Sequence, residues 1–101
     1  MNTLDVTFVR IYLTEGEGLM ERLLKRLHDE EKVHGVTVFR GISGFGKSGR
    51  MHSSSLLDMS LDLPLVIEFF DVPEKVSLIL EHFHKDVEPG HIVSWAGTLV
   101  V

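Results

Sequence analysis

The sequence predicts an α+β fold of the ferredoxin-like, split βαβ kind (β-α-β-β-α-β), an antiparallel sheet with two helices on one face. Three observations point there. Four runs rich in β-branched and aromatic residues alternate with two helix-periodic stretches, in the order strand, helix, strand, long loop, strand, helix, strand. The chain has 101 residues, 44% of them apolar, which suits one domain over residues 1–101 with an ordinary core. The strands are apolar on both sides: Phe8, Val38, Ile67, Phe69 and Trp95 cannot all face two helices. A second apolar sheet face in so small a chain predicts a homo-oligomer joined sheet to sheet.

Residues 5–13 (DVTFVRIYL) read as the first strand, with Arg10 and Tyr12 on one face and Val9, Ile11 and Leu13 on the other. Arg10 reads as a snorkelling side chain at a sheet edge or interface. A turn at 14–18 (TEGEG) leads into a helix in which Leu19, Met20, Leu23, Leu24 and Leu27 recur at helical spacing. Gly35 is expected just past that helix, with Lys32 and His34 near the negative end of its dipole. Residues 36–39 (VTVF) form the second strand. Residues 65–70 (LVIEFF) form the third, with Pro64 at its first position. Asp71 is expected to cap the second helix, Glu74 completing a capping box and Pro73 lying in the first turn. Val76, Ile79, Leu80 and Phe83 make the buried stripe of that helix. His82 and His84 are two apart and diverge, so they do not form an i, i+4 metal pair. Residues 88–90 (EPG) turn the chain into the last strand, 92–101, where Gly97 marks an expected bulge.

The long loop, 41–62, is glycine-rich at its start, with Ile42 and Phe45 set between Gly41, Gly44, Gly46 and Gly49. A short helical turn is expected at 55–59. A loop of this length in a small domain is usually functional or disordered. Residues 41–48 (GISGFGKS) also spell the P-loop pattern G-x-x-x-x-G-K-S. A working P-loop needs a helix directly after it and several βα units behind it. Gly49 and the RMHSSS that follows are poor helix starters, and the chain is too short for those units. A less specific reading survives: the backbone N–H groups around Gly44 and Gly46, beside Lys47, Arg50 and His52, form a candidate anion nest. No catalytic residue and no metal site is assigned.

The formal net charge of −5 argues against a nucleic-acid partner, which calls for a basic face. The lack of cysteine excludes disulfides and thiolate metal sites and fits a cytoplasmic location. The start, MNTLDVTFVR, lacks a signal-peptide layout, and no apolar run is long enough to insert in a membrane.

With these elements laid out, the sequence resembles the small proteins grouped as domain of unknown function 190. The resemblance rests on Arg10-Ile11-Tyr12, on Arg40-Gly41-Ile42-Ser43-Gly44-Phe45-Gly46, on His52, and on the DLPLVIE run from Asp62 to Glu68. It covers nearly the whole chain. That family is similar in fold to the nitrogen regulatory protein PII. The resemblance implies a PII-like ferredoxin-fold subunit in a homotrimer, a signalling or regulatory binding protein rather than an enzyme. It implies a small ligand, an adenine nucleotide or another anion, held in clefts between subunits, with no cofactor named. It implies that the 41–62 loop signals to a protein target of unknown identity. The candidate ligand-binding residues are then Arg40, Gly41, Gly44, Phe45 and Gly46, with Lys47, Arg50 and His52 further along the loop. Gly90 and His91, ahead of the last strand, complete the set. PII proteins place a glycine- and lysine-rich turn there to hold phosphates. Here residues 85–91 (KDVEPGH) are acidic with one glycine, and Asp86 and Glu88 repel a triphosphate unless they point outward. Two other classes stay open. One is a divalent-metal-binding, tolerance-type trimer in which His52 and His91 converge with a carboxylate. The other is a phosphate-hydrolysing enzyme.

Overall fold

A computed structural model describes residues 1–16, 18–46, 49–53 and 63–101. The elements are β1 (Thr3–Thr14), α1 (Leu19–Asp29), β2 (Gly35–Arg40), β3 (Ser43–Gly44), β4 (His52–Ser53), β5 (Pro64–Asp71), α2 (Pro73–Phe83) and β6 (Ile92–Val100). The main sheet has the order β2-β5-β1-β6, with every neighbouring pair antiparallel. This is the ferredoxin-like arrangement expected from the element order. No helix among the described residues is long and apolar enough to cross a membrane.

The core follows from strand and helix periodicity. Along β5, Leu65, Ile67, Phe69 and Asp71 are buried while the residues between them are not, a strict alternation. Val9, Ile11 and Leu13 of β1 lie on the same side, and Leu23, Leu27, Val76, Ile79 and Phe83 of the two helices close over them. Val36 and Val38 pack at the margin of this cluster. Each fully buried large side chain contributes about 1.5–3 kcal/mol.

The other sheet face is left uncovered by the helices. Register places Phe70, Phe8 and Trp95 side by side across β5, β1 and β6. Phe8 stacks on Trp95 at 5.5 Å between centroids and meets Phe70 at a tilt, 5.3 Å away. Arg10 is on the central strand, not at an edge. It donates to Glu68 at 2.8 Å, and its guanidinium lies 5.7 Å from the Trp95 ring and 6.0 Å from that of Phe39. Hydrogen bonding to Glu68 and then to Tyr12 holds the Arg10 guanidinium above its ordinary value. Of the apolar strand residues, Val38, Ile67 and Phe69 face the helices, and Phe8 and Trp95 face away.

Three local expectations are corrected. Asp71 does not form a capping box: the N-cap of α2 is Val72, with no side-chain cap bond. The Asp71 carboxylate instead accepts from the amide of Val72 at 2.8 Å and from that of His34 at 2.9 Å. It also pairs with Lys75 at 3.2 Å. Two converging amides from separate segments outcompete the local cap. Gly35 is not the residue past α1, which ends at Asp29 with Glu30 as its C-cap. Lys32 takes the left-handed conformation of that connection (φ 51°), and Gly35 opens β2. Gly97 marks no bulge, because the β1–β6 register runs unbroken through Val6↔Gly97. It is small for a different reason: a Cβ there would lie 2.5 Å from the Phe8 ring.

The long loop also holds structure that periodicity did not reveal. Its arms pair as a two-stranded hairpin, Ser43 with Ser53 and Gly44 with His52. The helical turn expected at 55–59, and Lys47, lie outside the described residues.

Candidate functional site

Antiparallel pairing sets the C-terminal end of β1 beside the start of β5, with Tyr12 opposite Val66, Leu13 opposite Leu65 and Thr14 opposite Pro64. Pairing of Ile11 with Ile92 brings the turn before β6 to the other side of Tyr12. The loop leaves β2 over the start of β5, and the Gly41 amide donates to the Pro64 carbonyl at 2.7 Å. These four segments enclose a cleft of about 450 Å³. Tyr12, Thr14, Ser43, Pro64 and Glu88 line it together with Gly41, Gly44, Phe45, Gly46 and His91. A neighbouring hollow of about 440 Å³ shares Tyr12, Phe45, Gly46 and His91 and adds Pro89 and Gly90. The volume is that of a small-molecule site.

Glycine at the loop base has a steric cause. A Cβ on Gly41 would fall 2.8 Å from the Pro64 ring and 3.3 Å from the Pro64 carbonyl oxygen. One on Gly44 would fall 3.3 Å from the same ring. The backbone thus reaches the cleft wall only because these residues lack side chains. Phe45 is 71% exposed, an aromatic surface at the cleft mouth.

His91 is clamped by its strand neighbour. The Tyr12 amide donates to the His91 carbonyl at 2.9 Å, and His91 Nδ1 bonds the Tyr12 carbonyl at 2.9 Å. A carbonyl only accepts, so Nδ1 carries the proton and Nε2 is left toward Glu88, whose carboxylate lies 3.5 Å away. Asp86 is turned aside: Arg26 of α1 holds it at 2.7 Å. The two acidic residues of this turn therefore part, Asp86 to the helices and Glu88 to the cleft.

The remaining sequence candidates fall out differently. Arg40 does not line the cleft; its guanidinium pairs with Glu15 at 2.8 Å. Arg50 is outside the cleft lining as well. His52 is paired with Gly44 in the β3–β4 hairpin. Lys47 lies outside the described residues. After the P-loop spelling the described chain resumes at Gly49, in a left-handed conformation (φ 74°), and runs into β4, so among the described residues no helix follows there to receive a phosphate. Among the described residues no three histidine or carboxylate side chains are placed to hold a metal ion. Tyr12, Pro64 and Thr14 were not foreseen as lining. Their only sequence signal is position at strand ends, which acquires meaning once the strand order is known.

A family model described as DUF190, Uncharacterized ACR, matches residues 6–98. The UPF0166 protein MJ1524 of Methanocaldococcus jannaschii is 29% identical over 89 residues, 84% of this chain and 82% of that protein. Two UPF0166 proteins of Aquifex aeolicus are each 37% identical. One match covers 67% of this chain and 69% of the relative. The other covers 66% of this chain and 63% of the relative. Among solved structures, CPII of Thiomonas intermedia K12 bound to ADP and bicarbonate superposes with a TM-score of 0.66 at 24% identity, over 99% of this chain and 91% of that one. A protein of Thermus thermophilus described as PII-like and signalling gives 0.67 at 17% identity, over 100% and 93%. CutA1 of Oryza sativa gives 0.63 at 15%, over 98% and 84%. At such identities these likenesses establish a shared fold, which is PII-like.

Proposed function

The chain belongs to the DUF190 family, and we propose that it is a PII-like regulatory binding protein that senses an adenine nucleotide or related small ligand. The observation that carries this reading is the placement of the cleft. Gly41, Gly44, Phe45 and Gly46 of the loop wall it on one side, and Glu88 and His91 on another, so a ligand touches the base of the loop directly. Binding there alters the loop through the β3–β4 hairpin, whose first strand lines the cleft. ADP and bicarbonate, both bound in the CPII structure, supply the chemical class to try first.

The protein acts as a homotrimer through its uncovered sheet face. Phe39, Val93, Trp95 and Tyr12 are each 41–47% exposed on that face or its rim. Burying them is favourable at about 25 cal/mol per Å² of apolar surface. The Arg10–Glu68 pair at the centre fixes orientation there. A trimer also fits a site finished by a neighbouring subunit, since the cleft of one chain is open. The signal passes to a protein target, and the chain carries out no turnover of its own.

Calorimetry on the full chain with adenosine, AMP, ADP, ATP and bicarbonate tests the binding, and sedimentation at micromolar concentration tests the assembly. Saturable heat with at least one adenine compound and a trimer mass are expected. No binding by any of them defeats the sensing reading, and a clean monomer defeats the assembly.

A further inference from the structure

Resting on the reading that the cleft takes an adenine compound, we infer that it selects against phosphate charge, favouring a nucleoside or nucleoside monophosphate over a triphosphate, with Glu88 as the specificity-determining residue. The observation is how the structure distributes charge around the 85–91 turn. Asp86 is neutralised at 2.7 Å by Arg26 and faces α1, so it plays no part in the cleft. Glu88 is the one acidic side chain on the described lining, and His91 is the one basic side chain. The imidazole gives its Nδ1 proton to the Tyr12 carbonyl. Its Nε2 lies 3.5 Å from the Glu88 carboxylate, a contact that is an ion pair only when the ring is protonated; with the ring neutral, Nε2 accepts and the carboxylate keeps its charge. Arg40, next to Gly41, is drawn off by Glu15 at 2.8 Å and adds no positive charge to the described wall.

A carboxylate and an acceptor nitrogen suit ligand groups that donate, such as ribose hydroxyls or an exocyclic amine. They repel each phosphate charge placed beside them, and more so as the chain of phosphates lengthens. Phe45 and Tyr12 offer ring surface to a base, which carries no such penalty. The same cleft therefore welcomes the nucleoside end of a nucleotide and opposes its phosphate end.

The test is calorimetry on the full chain, without magnesium, using adenosine, AMP, ADP and ATP at low and high salt. Wild type and the variants Glu88→Gln and Glu88→Lys are compared. Wild type is expected to bind AMP about tenfold more tightly than ATP at low salt, with the gap narrowing as salt rises. Glu88→Gln should close most of the gap by tightening ATP about fivefold, and Glu88→Lys should invert the order. Glu88 has a 72% exposed side chain, so both variants should fold, which circular dichroism checks. Wild type binding ATP as tightly as AMP, or Glu88→Gln shifting adenosine and ATP equally, overturns this inference and leaves the sensing reading intact. Failure of all four compounds to bind wild type overturns both.

Discussion

Replacing Asp71 by asparagine should unfold this protein several degrees early, for a reason unrelated to helix capping. Asp71 is 9% exposed at the junction of β5 and α2. One oxygen accepts from the Val72 amide at 2.8 Å and the other from the His34 amide at 2.9 Å. Lys75 pairs with the carboxylate at 3.2 Å and donates onward to the Lys32 carbonyl at 2.6 Å. The group thereby ties β5 to the α1–β2 connection, where Lys32 holds a left-handed backbone. Asparagine keeps one acceptor and turns an N–H₂ toward a remaining amide donor. A hydrogen bond to a charged group contributes about 1.5–3 kcal/mol, and Asn forfeits one of them and weakens the other. A loss of about 2–3 kcal/mol is expected, or roughly 8–24 °C in Tm for a chain of this size. The variant should also lose a pH dependence. Burial by itself raises the Asp71 carboxyl, but the Val72 amide, Lys75 and the His34 amide together outweigh it. The group lies below its ordinary value of 3.8. A lowered carboxyl contributes stability that is complete above the unfolded value and disappears as pH falls through the folded one. Wild type should therefore lose stability on acidification below about pH 5, and Asp71→Asn should lose less. Urea titrations at fixed protein concentration, repeated across that range, read both effects. A change under about 0.5 kcal/mol at neutral pH, with an unchanged acid limb, would refute this account.

Gly97→Ala places a methyl carbon 2.5 Å from a Phe8 ring already in contact with Phe70 and Trp95, so it should cost about 1–3 kcal/mol by urea titration and weaken sheet-to-sheet assembly in sedimentation. Gly41→Ala, whose Cβ meets the Pro64 ring at 2.8 Å, should cost a similar amount and lower affinity for any cleft ligand; unaltered binding by calorimetry would show that the loop base is not part of the site. Arg40→Ala removes an exposed pair with Glu15, so stability should fall by less than about 1 kcal/mol and ligand affinity should change less than about twofold. Trp95→Asp puts a charge on the uncovered sheet face and should shift sedimentation toward a smaller species at micromolar concentration.

The sequence by itself determined the four long strands, the two helices, their order and the buried stripe of each helix. The 3.6-residue spacing of a helix is a local property, so Val76, Ile79 and Phe83 declare their face without a partner, whereas in strands apolar on both sides only the fold tells Ile67 and Phe69 from Phe8 and Trp95. Glycine in place of larger residues at 41 and 44 was legible as a motif, and so was the acidic character of 85–91. Tertiary structure decided what those features do. Glycine at 41 answers to Pro64 at the start of β5, and glycine at 97 answers to Phe8 on the neighbouring strand. Asp71 looked like a cap because its near neighbours allow one, but a distant amide at His34 claimed it. Arg40 was a candidate through the family resemblance, and the fold pairs it with Glu15, outside the described cleft lining. Asp86 and Glu88 looked alike in the chain, and only Arg26, folded across from α1, separates them. A side chain's partner is set by which segments the sheet order brings within hydrogen-bond range, and that distance is a property of the closed fold, not of spacing along the chain.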